Sequence, residues 1–332
     1  MRRLVLKALG ALVLSGGVAA AQEIRPAIVF DMGGRNDRSF NEAVHRGGQE
    51  FQRSTGIQVT EFEVTAEPQR EQALRNFARR GHSPIVAVGF AQRSALQTVA
   101  AEFPQINFVI MDSVVDLPNV QSVLFREEQG SYLAGMMAAM ASRSGRIGFV
   151  GGMDIPLIRK FACGYVQGAR AVNPNIQVFQ NMTGSTPSAW RDPVRGGELA
   201  RSQIERGADV VFHAAGGTGT GVLQAAADAG RLGIGVDSNQ NHLHPGRVLT
   251  SMLKRVDVAT RLAFEQARAG QFRTGRQVLG LAEDGVGVAF DEHNAPLVTA
   301  EMRARIDQAR ADVVAGRVTV HDFMSNNACP VQ

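Results

Sequence analysis

The sequence predicts an α/β protein of two lobes, each built on a parallel sheet, with a cleft between them. Three observations carry this. Short apolar runs alternate with helix-period stripes, that series occurs twice in succession, and roughly 310 residues remain once an amino-terminal leader is set aside, more than one typical core holds.

The leader is read from its parts. Arg2, Arg3 and Lys7 precede or border the apolar stretch Ala8 to Leu14, and Ala19 with Ala21 forms an A-x-A site before Gln22. The reading is a secretory signal over residues 1–21. A membrane anchor fits less well, because the apolar run is shorter than the roughly 20 residues of a span. The mature chain is therefore expected outside the cytoplasm, soluble and monomeric. Removing Arg2, Arg3 and Lys7 from 35 Lys+Arg leaves 32 against 31 Asp+Glu, so the formal charge falls from +4 to +1. No dense basic block remains, which argues against nucleic acid or a membrane surface as partner. Two cysteines in an exported chain, Cys163 and Cys329, leave open one disulfide tying the tail to the second half, or two free thiols.

In the first series, strands are expected at Ala27–Asp31, Gln58–Glu63, Ile85–Val88, Asn107–Asp112 and Val120–Phe125. Ala73, Leu74, Phe77 and Ala78 give one helical stripe between them, and Ala95 to Phe103 a second. The stretch of greatest interest is FDMGGRNDRSFNEA, Phe30 to Ala43. Gly33 and Gly34 permit a sharp turn, and Ser39 with Glu42 has capping-box spacing, so a helix is expected to start near Phe40. Its unpaired first-turn amides would lie beside Asp31, Asn36, Asp37, Asn41 and the Phe40 ring. An ordinary βα turn accounts for the glycines and the cap, but not for this crowding of polar groups.

The second series begins after an apolar helix, Tyr132 to Ala141. RIGFVGG (Arg146 to Gly152) is a strand, IPLIRKFACGYVQGARAV a helix, IQVFQN a strand, and DPVRGGELARSQIERG a helix opened by Asp192-Pro193. DVVFHAAGGTGTG is a strand running into a glycine turn, and LGIGVDSNQ a strand ending on Asp237. At VLTSMLKRVD the chain crosses back to the first lobe, with Lys254 just before another helix, Val258 to Gly270. Gly285 to Val288 as a strand and Ala300 to Gly316 as a helix complete the pattern. The lobes expected are 22–127 with 252–283, and 128–251 with 284–323, followed by a tail over 324–332.

Four strand ends carry polar or flexible groups: Asp31, Asp112, Gly216-Gly217 and Asp237. In open α/β sheets ligands sit off the carboxyl ends of strands, so two sheets pointing those ends inward would bring the four together. A single Asp there is ordinarily a cap or turn residue. The glycine turn lacks the Lys-Ser/Thr of a phosphate loop, and close approach of backbone to ligand or tight helix packing explains it better than nucleotide chemistry. Lys254 taken alone reads as a solvated helix-end lysine. No H-E-x-x-H, C-x-x-C or G-x-S-x-G is found, Asp291-Glu292-His293 reads as a solvated turn, and His242 and His244 as a polar surface loop. No metal or cofactor is expected.

Six segments in order resemble the basic membrane protein family: DMGGRNDRSFNEA, FVIMD, GFVGGMDIPLIRKFACGYVQGARAVNP, DVVFHAAGGTGTGV, GVDSNQ and LTSMLKRVD. The best understood members are purine-nucleoside receptors of bacterial ABC transporters. The resemblance implies a type I periplasmic binding protein, with two Rossmann-like lobes joined by three crossovers. In those receptors the base is stacked between two aromatics, its polar edge meets an Asp and an Asn, and the ribose meets acidic residues and a lysine. Residue by residue, this implies Phe40 and Asn41 in the S-F-N triplet, and Asp31 at the first strand end. Asp112 in FVIMD, Gly216 and Gly217 in the glycine turn, Asp237 in GVD and Lys254 in MLKR follow. Trp190, in STPSAWRDP, falls where a second stacking Phe is usual. Many members carry a lipid-anchoring Cys after the signal; AAAQE stands here, so a freely diffusing protein is expected. The implied activity is capture of a nucleoside, a purine one, for an ABC permease. The rival readings are a receptor for a sugar or other small polar metabolite, and a nucleoside hydrolase, whose metal-bound water and dense aspartate cluster the separated strand-end Asp do not match.

Overall fold

The structure, a computed structural model, describes residues 24–331. The expected leader lies outside the described residues. The most apolar runs become strands buried in mid-sheet, and the stripes become helices lying on the sheets. The first series gives β1 (Ala27–Phe30), α1 (Phe40–Thr55), β2 (Thr60–Glu63), α2 (Gln69–Arg79), β3 (Ile85–Ala87), α3 (Arg93–Glu102), β4 (Phe108–Met111) and β5 (Val120–Phe125). The second gives α4 (Glu127–Ala141), β6 (Arg146–Met153), α5 (Pro156–Val172), β7 (Gln177–Gly184), α6 (Pro193–Glu205), β8 (Val210–Ala214), α7 (Gly219–Asp228), β9 (Leu232–Asp237) and β10 (Val248–Lys254). The chain closes with α8 (Val256–Arg268), β11 (Gly275–Leu279), β12 (Val286–Val288) and α9 (Ala300–Val314).

Two six-stranded sheets result, ordered β11-β5-β4-β3-β1-β2 and β12-β10-β9-β8-β6-β7. The orders are the same, so the two lobes repeat one topology. All pairings are parallel except β12, which runs antiparallel to β10 along the edge. In each sheet the direction of winding reverses beside the first strand of the series, between β1 and β3 and between β6 and β8. That is where an open sheet leaves a crevice at its carboxyl ends.

The chain passes between the sheets three times: at Arg126 after β5, at Arg255 after β10, and over 280–285 between β11 and β12. The three strands of passage are tied together. Arg126 N donates to Leu279 O (2.9 Å) and Arg255 N to Gly285 O (2.8 Å). All of β10 pairs in the second sheet, so the seam expected at 251/252 cuts a strand; sheet membership puts the crossing after Lys254. The strand β11 was not expected, because GRQVL offers no apolar run; it is a half-exposed edge paired to β5. Helices α4 and α5 approach so closely that a methyl at Gly168 would strike the Tyr132 backbone. The sulfurs of Cys163, in α5, and Cys329 are bonded, which pins the tail to the second lobe.

Candidate ligand cleft

The turn after β1 is built differently from a capping box. Ser39 makes no cap bond; the carboxylate of Asp37 instead accepts the amides of Ser39 (2.8 Å), Asn41 (3.0 Å) and Glu42 (3.1 Å). Glu42 reaches the Arg38 amide rather than that of Ser39. The first-turn donors expected to face a ligand are therefore occupied, and a buried carboxylate takes the place of an anion. This frees the Ser39 hydroxyl, which donates to Asp237 Oδ2 at the end of β9, 2.5 Å away. Ser238 Oγ donates to Ser39 O (2.8 Å) and Gln240 Nε2 to Arg38 O (2.9 Å), and these bonds join the lobes along this edge.

The three strand-end aspartates share a pattern. Both Arg70 nitrogens that bond Asp31 go to Oδ1, at 3.0 and 2.9 Å. Lys254 Nζ donates to Asp112 Oδ2 at 2.7 Å, and Ser39 engages only Oδ2 of Asp237. In each case one oxygen is held by the protein and its twin accepts no hydrogen bond from the described residues. Asp112 and Asp237 also share a backbone state, with φ of 64° and 62°. That left-handed region is uncommon outside glycine but open to Asp, and it turns the chain sharply at the strand end.

Lys254 is not the solvated lysine of the simplest reading. It is 2% exposed, salt-bridged to Asp112 and to Glu127 (2.9 Å), and lies 5.0 Å from the Phe40 ring centre, 5.1 Å from Phe125 and 5.7 Å from Phe161. A second lysine continues the series, since Lys160 Nζ bridges Glu127 (3.0 Å) and Glu128 (3.2 Å) and donates to Phe125 O. Charges therefore alternate from the cleft towards the tail, where Asp322 lies 3.5 Å from Lys160.

The electrostatics follow from burial and from this alternation. Burial pushes Asp112 up to about 6, with Lys254 opposing it and Glu127 adding to it. Burial also raises Asp237, against the pull of Lys254 and Ser39. For Glu127 burial acts upward too, but the two lysines outweigh it and hold the carboxyl below the usual range. Glu128 goes the other way, to about 7, because it is buried beside an ionised neighbour that shares its lysine.

Eight of the nine residues named from the sequence line one cleft between the lobes: Asp31, Phe40, Asn41, Asp112, Trp190, Gly216, Asp237 and Lys254. Gly217 is one residue back, behind Trp190, where a methyl would lie 3.2 Å from the Trp190 carbonyl. Asn41 Nδ2 donates to Gly34 O (3.0 Å), which fixes the amide orientation and leaves its buried Oδ1 without a partner. The sequence reading did not single out Phe90 and Phe161, which also line the cleft, Arg70, which holds Asp31, or Glu127 and Lys160, which continue the ion-pair series from Lys254. The helical stripe of α5 was the available sign for Phe161; nothing local marks the others.

Two lobes of one topology, three crossings and a cleft at the facing strand ends define a bilobal solute-binding protein. Comparison with known proteins then gives the family. A family model described as "ABC transporter substrate-binding protein PnrA-like" matches residues 24–319, and the chain belongs to that family. The "ABC transporter nucleoside-binding protein BmpA" of Lactococcus lactis is 32% identical over 321 residues, covering 90% of this chain and 89% of its own. An "uncharacterized lipoprotein" of Pyrococcus furiosus is 31% identical over 297 residues, covering 83% of this chain and 75% of its own. Among solved structures, an ABC transporter solute-binding protein from Aeropyrum pernix superposes with a TM-score of 0.83 at 25% identity, covering 92% of this chain and 95% of that one. Among the described residues, no helix is long and apolar enough to cross a membrane.

Proposed function

We propose that this chain captures a nucleoside, a purine one, between its lobes and presents it to the permease of an ABC importer. One observation carries the reading: three strand-end carboxylates around a single cleft, each with one oxygen fixed by the protein and the other free to accept. A carboxylate oxygen suits the hydroxyls of a ribose diol and the amino or ring N–H of a base. In this reading Asp112, Asp237 and Lys254 take the sugar. Asp31 and Asn41 meet the polar edge of the base, and Phe40 and Trp190 flank its faces. Stacking of this kind contributes roughly 1 to 3 kcal/mol per base.

The charge pattern favours a neutral ligand. A phosphate would meet three acids in the cleft, while the lysine that lines it is already bridged to Asp112 and, behind it, to Glu127. A nucleotide should therefore bind poorly. The description of the Lactococcus lactis relative as nucleoside-binding supports the same ligand class.

The rest of the reading is of one piece with this. In this reading the lobes are 24–126 with 255–280 and 127–254 with 285–323; the pairing of β10 supports the change at its own end. The protein acts as a monomer and performs no chemistry on its ligand. The function is tested by denaturing freshly purified protein and identifying the released small molecule by mass spectrometry. A purine nucleoside is the expected finding. A pentose, hexose or other polar metabolite in stoichiometric amount overturns the ligand assignment, and conversion of added inosine to hypoxanthine overturns the non-enzymatic one.

A further inference from the structure

Gly152 lies within β6, and its φ is outside the left-handed region, so its backbone gives no reason for a glycine. Space gives one. A Cβ built there would stand 2.8 Å from Cη2 of Trp190, with Cε3 and Cζ3 nearer still. All three atoms belong to the six-membered ring of the indole. Glycine in mid-strand often marks such a close approach.

The backbone is held on both sides, so the side chain must yield. β6 is held on both sides, by β7 through Gly151↔Met182 and Met153↔Gly184 and by β8 through Gly151↔Ala214. Trp190 closes a short helical turn whose carbonyls are also held: Thr218 Oγ1 donates to Ala189 O at 2.7 Å. Near the base of the ring, a Cβ at Gly216 would be 3.8 Å from Trp190 Cβ and Cε3, an ordinary contact. The indole thus sits on Gly152 and against the glycine turn, and forms one wall of the cleft.

We propose that Gly152 is a positioning residue: its missing side chain seats the Trp190 ring, and so sets the width of the slot that admits a planar base. This rests on the nucleoside reading for the identity of the ligand, but not for the contact itself. A methyl at 152 drives the ring off its seat and into the slot. With Phe at 190 the ring ends short of Cζ3 and Cη2, and the same methyl is tolerated.

The test is a double-mutant cycle of Gly152→Ala and Trp190→Phe, with inosine as the probe and calorimetry as the readout. Gly152→Ala is expected to weaken inosine at least tenfold in the native background and less than threefold in the Trp190→Phe background. Equal ratios in the two backgrounds overturn the proposal. Trp190 is the one tryptophan of the chain, so its emission supplies a ligand-free readout. Gly152→Ala alone should shift the emission maximum and raise quenching by acrylamide, and an unchanged spectrum overturns the proposal. If native protein binds no inosine, the nucleoside reading fails and the emission comparison alone decides Gly152. If Gly152→Ala unfolds but the double variant folds, the contact is upheld; if both unfold, Gly152 serves something other than Trp190 and the proposal falls.

Discussion

Ser39 Oγ donates to Asp237 Oδ2 across 2.5 Å, and this bond ties the first turn of α1 in one lobe to the end of β9 in the other. It exists because Asp37 has taken over the capping of α1 and released the serine. The same carboxylate is offered to the cleft by its other oxygen, so closure of the lobes and orientation of a ligand acceptor are one arrangement. Ser39→Ala removes a hydrogen bond to a buried charged group, worth about 1.5–3 kcal/mol. Nucleoside affinity is expected to fall by tenfold or more with little change in melting of the separate lobes. Asp237→Ala should weaken nucleosides far more than free bases, and titrations showing equal loss for both contradict its assignment to the sugar.

Lys254 is the sole cation within bonding distance of both Asp112 and Glu127 among the described residues. Lys254→Met leaves buried Asp112 without its cation and Glu127 with Lys160 alone, and should destabilise the protein by about 3–5 kcal/mol in urea unfolding. Adding Glu127→Gln removes one of those charges, and part of the loss should return. No recovery in the double variant would show that the pair is not coupled through the lysine.

Glu128 gives a pH signature with a definite sign. Its carboxyl rises from an ordinary value of 4.5 to about 7 in the folded protein, through burial first and Glu127 second, with Lys160 opposing. Its stabilising contribution is therefore complete below about 4.5 and is lost as pH rises through about 7. Glu128→Gln mimics the protonated form, with Lys160, Glu127, Arg126 and Asp322 still around it. The variant should match native protein near pH 4.5 and exceed it at pH 8 by on the order of 1–3 kcal/mol. A constant difference across that range in thermal melts refutes the assignment.

The Cys163–Cys329 bond closes a loop of 166 residues in sequence separation. Replacing both cysteines by alanine should lower stability by about 2–4 kcal/mol and expose the tail beyond Phe323 to proteolysis. Inosine binding should persist, because neither sulfur lines the cleft. Loss of binding would mean that the tail, through Asp322 and Lys160, governs the site.

Much of this architecture was legible because its signals are local. A run such as AIVF or FVIM can only be buried in mid-sheet, and the repeat of one series along the chain foretold two lobes of one topology. The strand-end aspartates were legible for the same reason: a polar residue directly after an apolar run marks the carboxyl edge of a sheet. What escaped depends on partners far apart in sequence. Ser39 and Asp237 are 198 residues apart, Lys254 and Asp112 142, and no periodicity announces either pair. The capping box misled because Ser39-x-x-Glu42 has the right spacing, yet Asp37, two residues earlier, holds three amides and outcompetes it. β11 was hidden because GRQVL needs only one strand neighbour and carries polar residues on an exposed edge. The seam was misplaced for a related reason: VLTSMLK is a strand to its last residue, and only its pairing says in which sheet.

The central claim is that the strand ends carrying Asp31, Asp112 and Asp237 form, with Phe40 and Trp190, a site for an uncharged nucleoside. Calorimetric titration of ligand-stripped protein with inosine, guanosine and adenosine, beside their 5′-monophosphates and ribose, tests it most directly. Saturable binding of at least one nucleoside at micromolar concentration or below, with the monophosphates at least a hundredfold weaker, is the predicted result. Absence of heat with every nucleoside, or equal affinity for nucleoside and monophosphate, would contradict it.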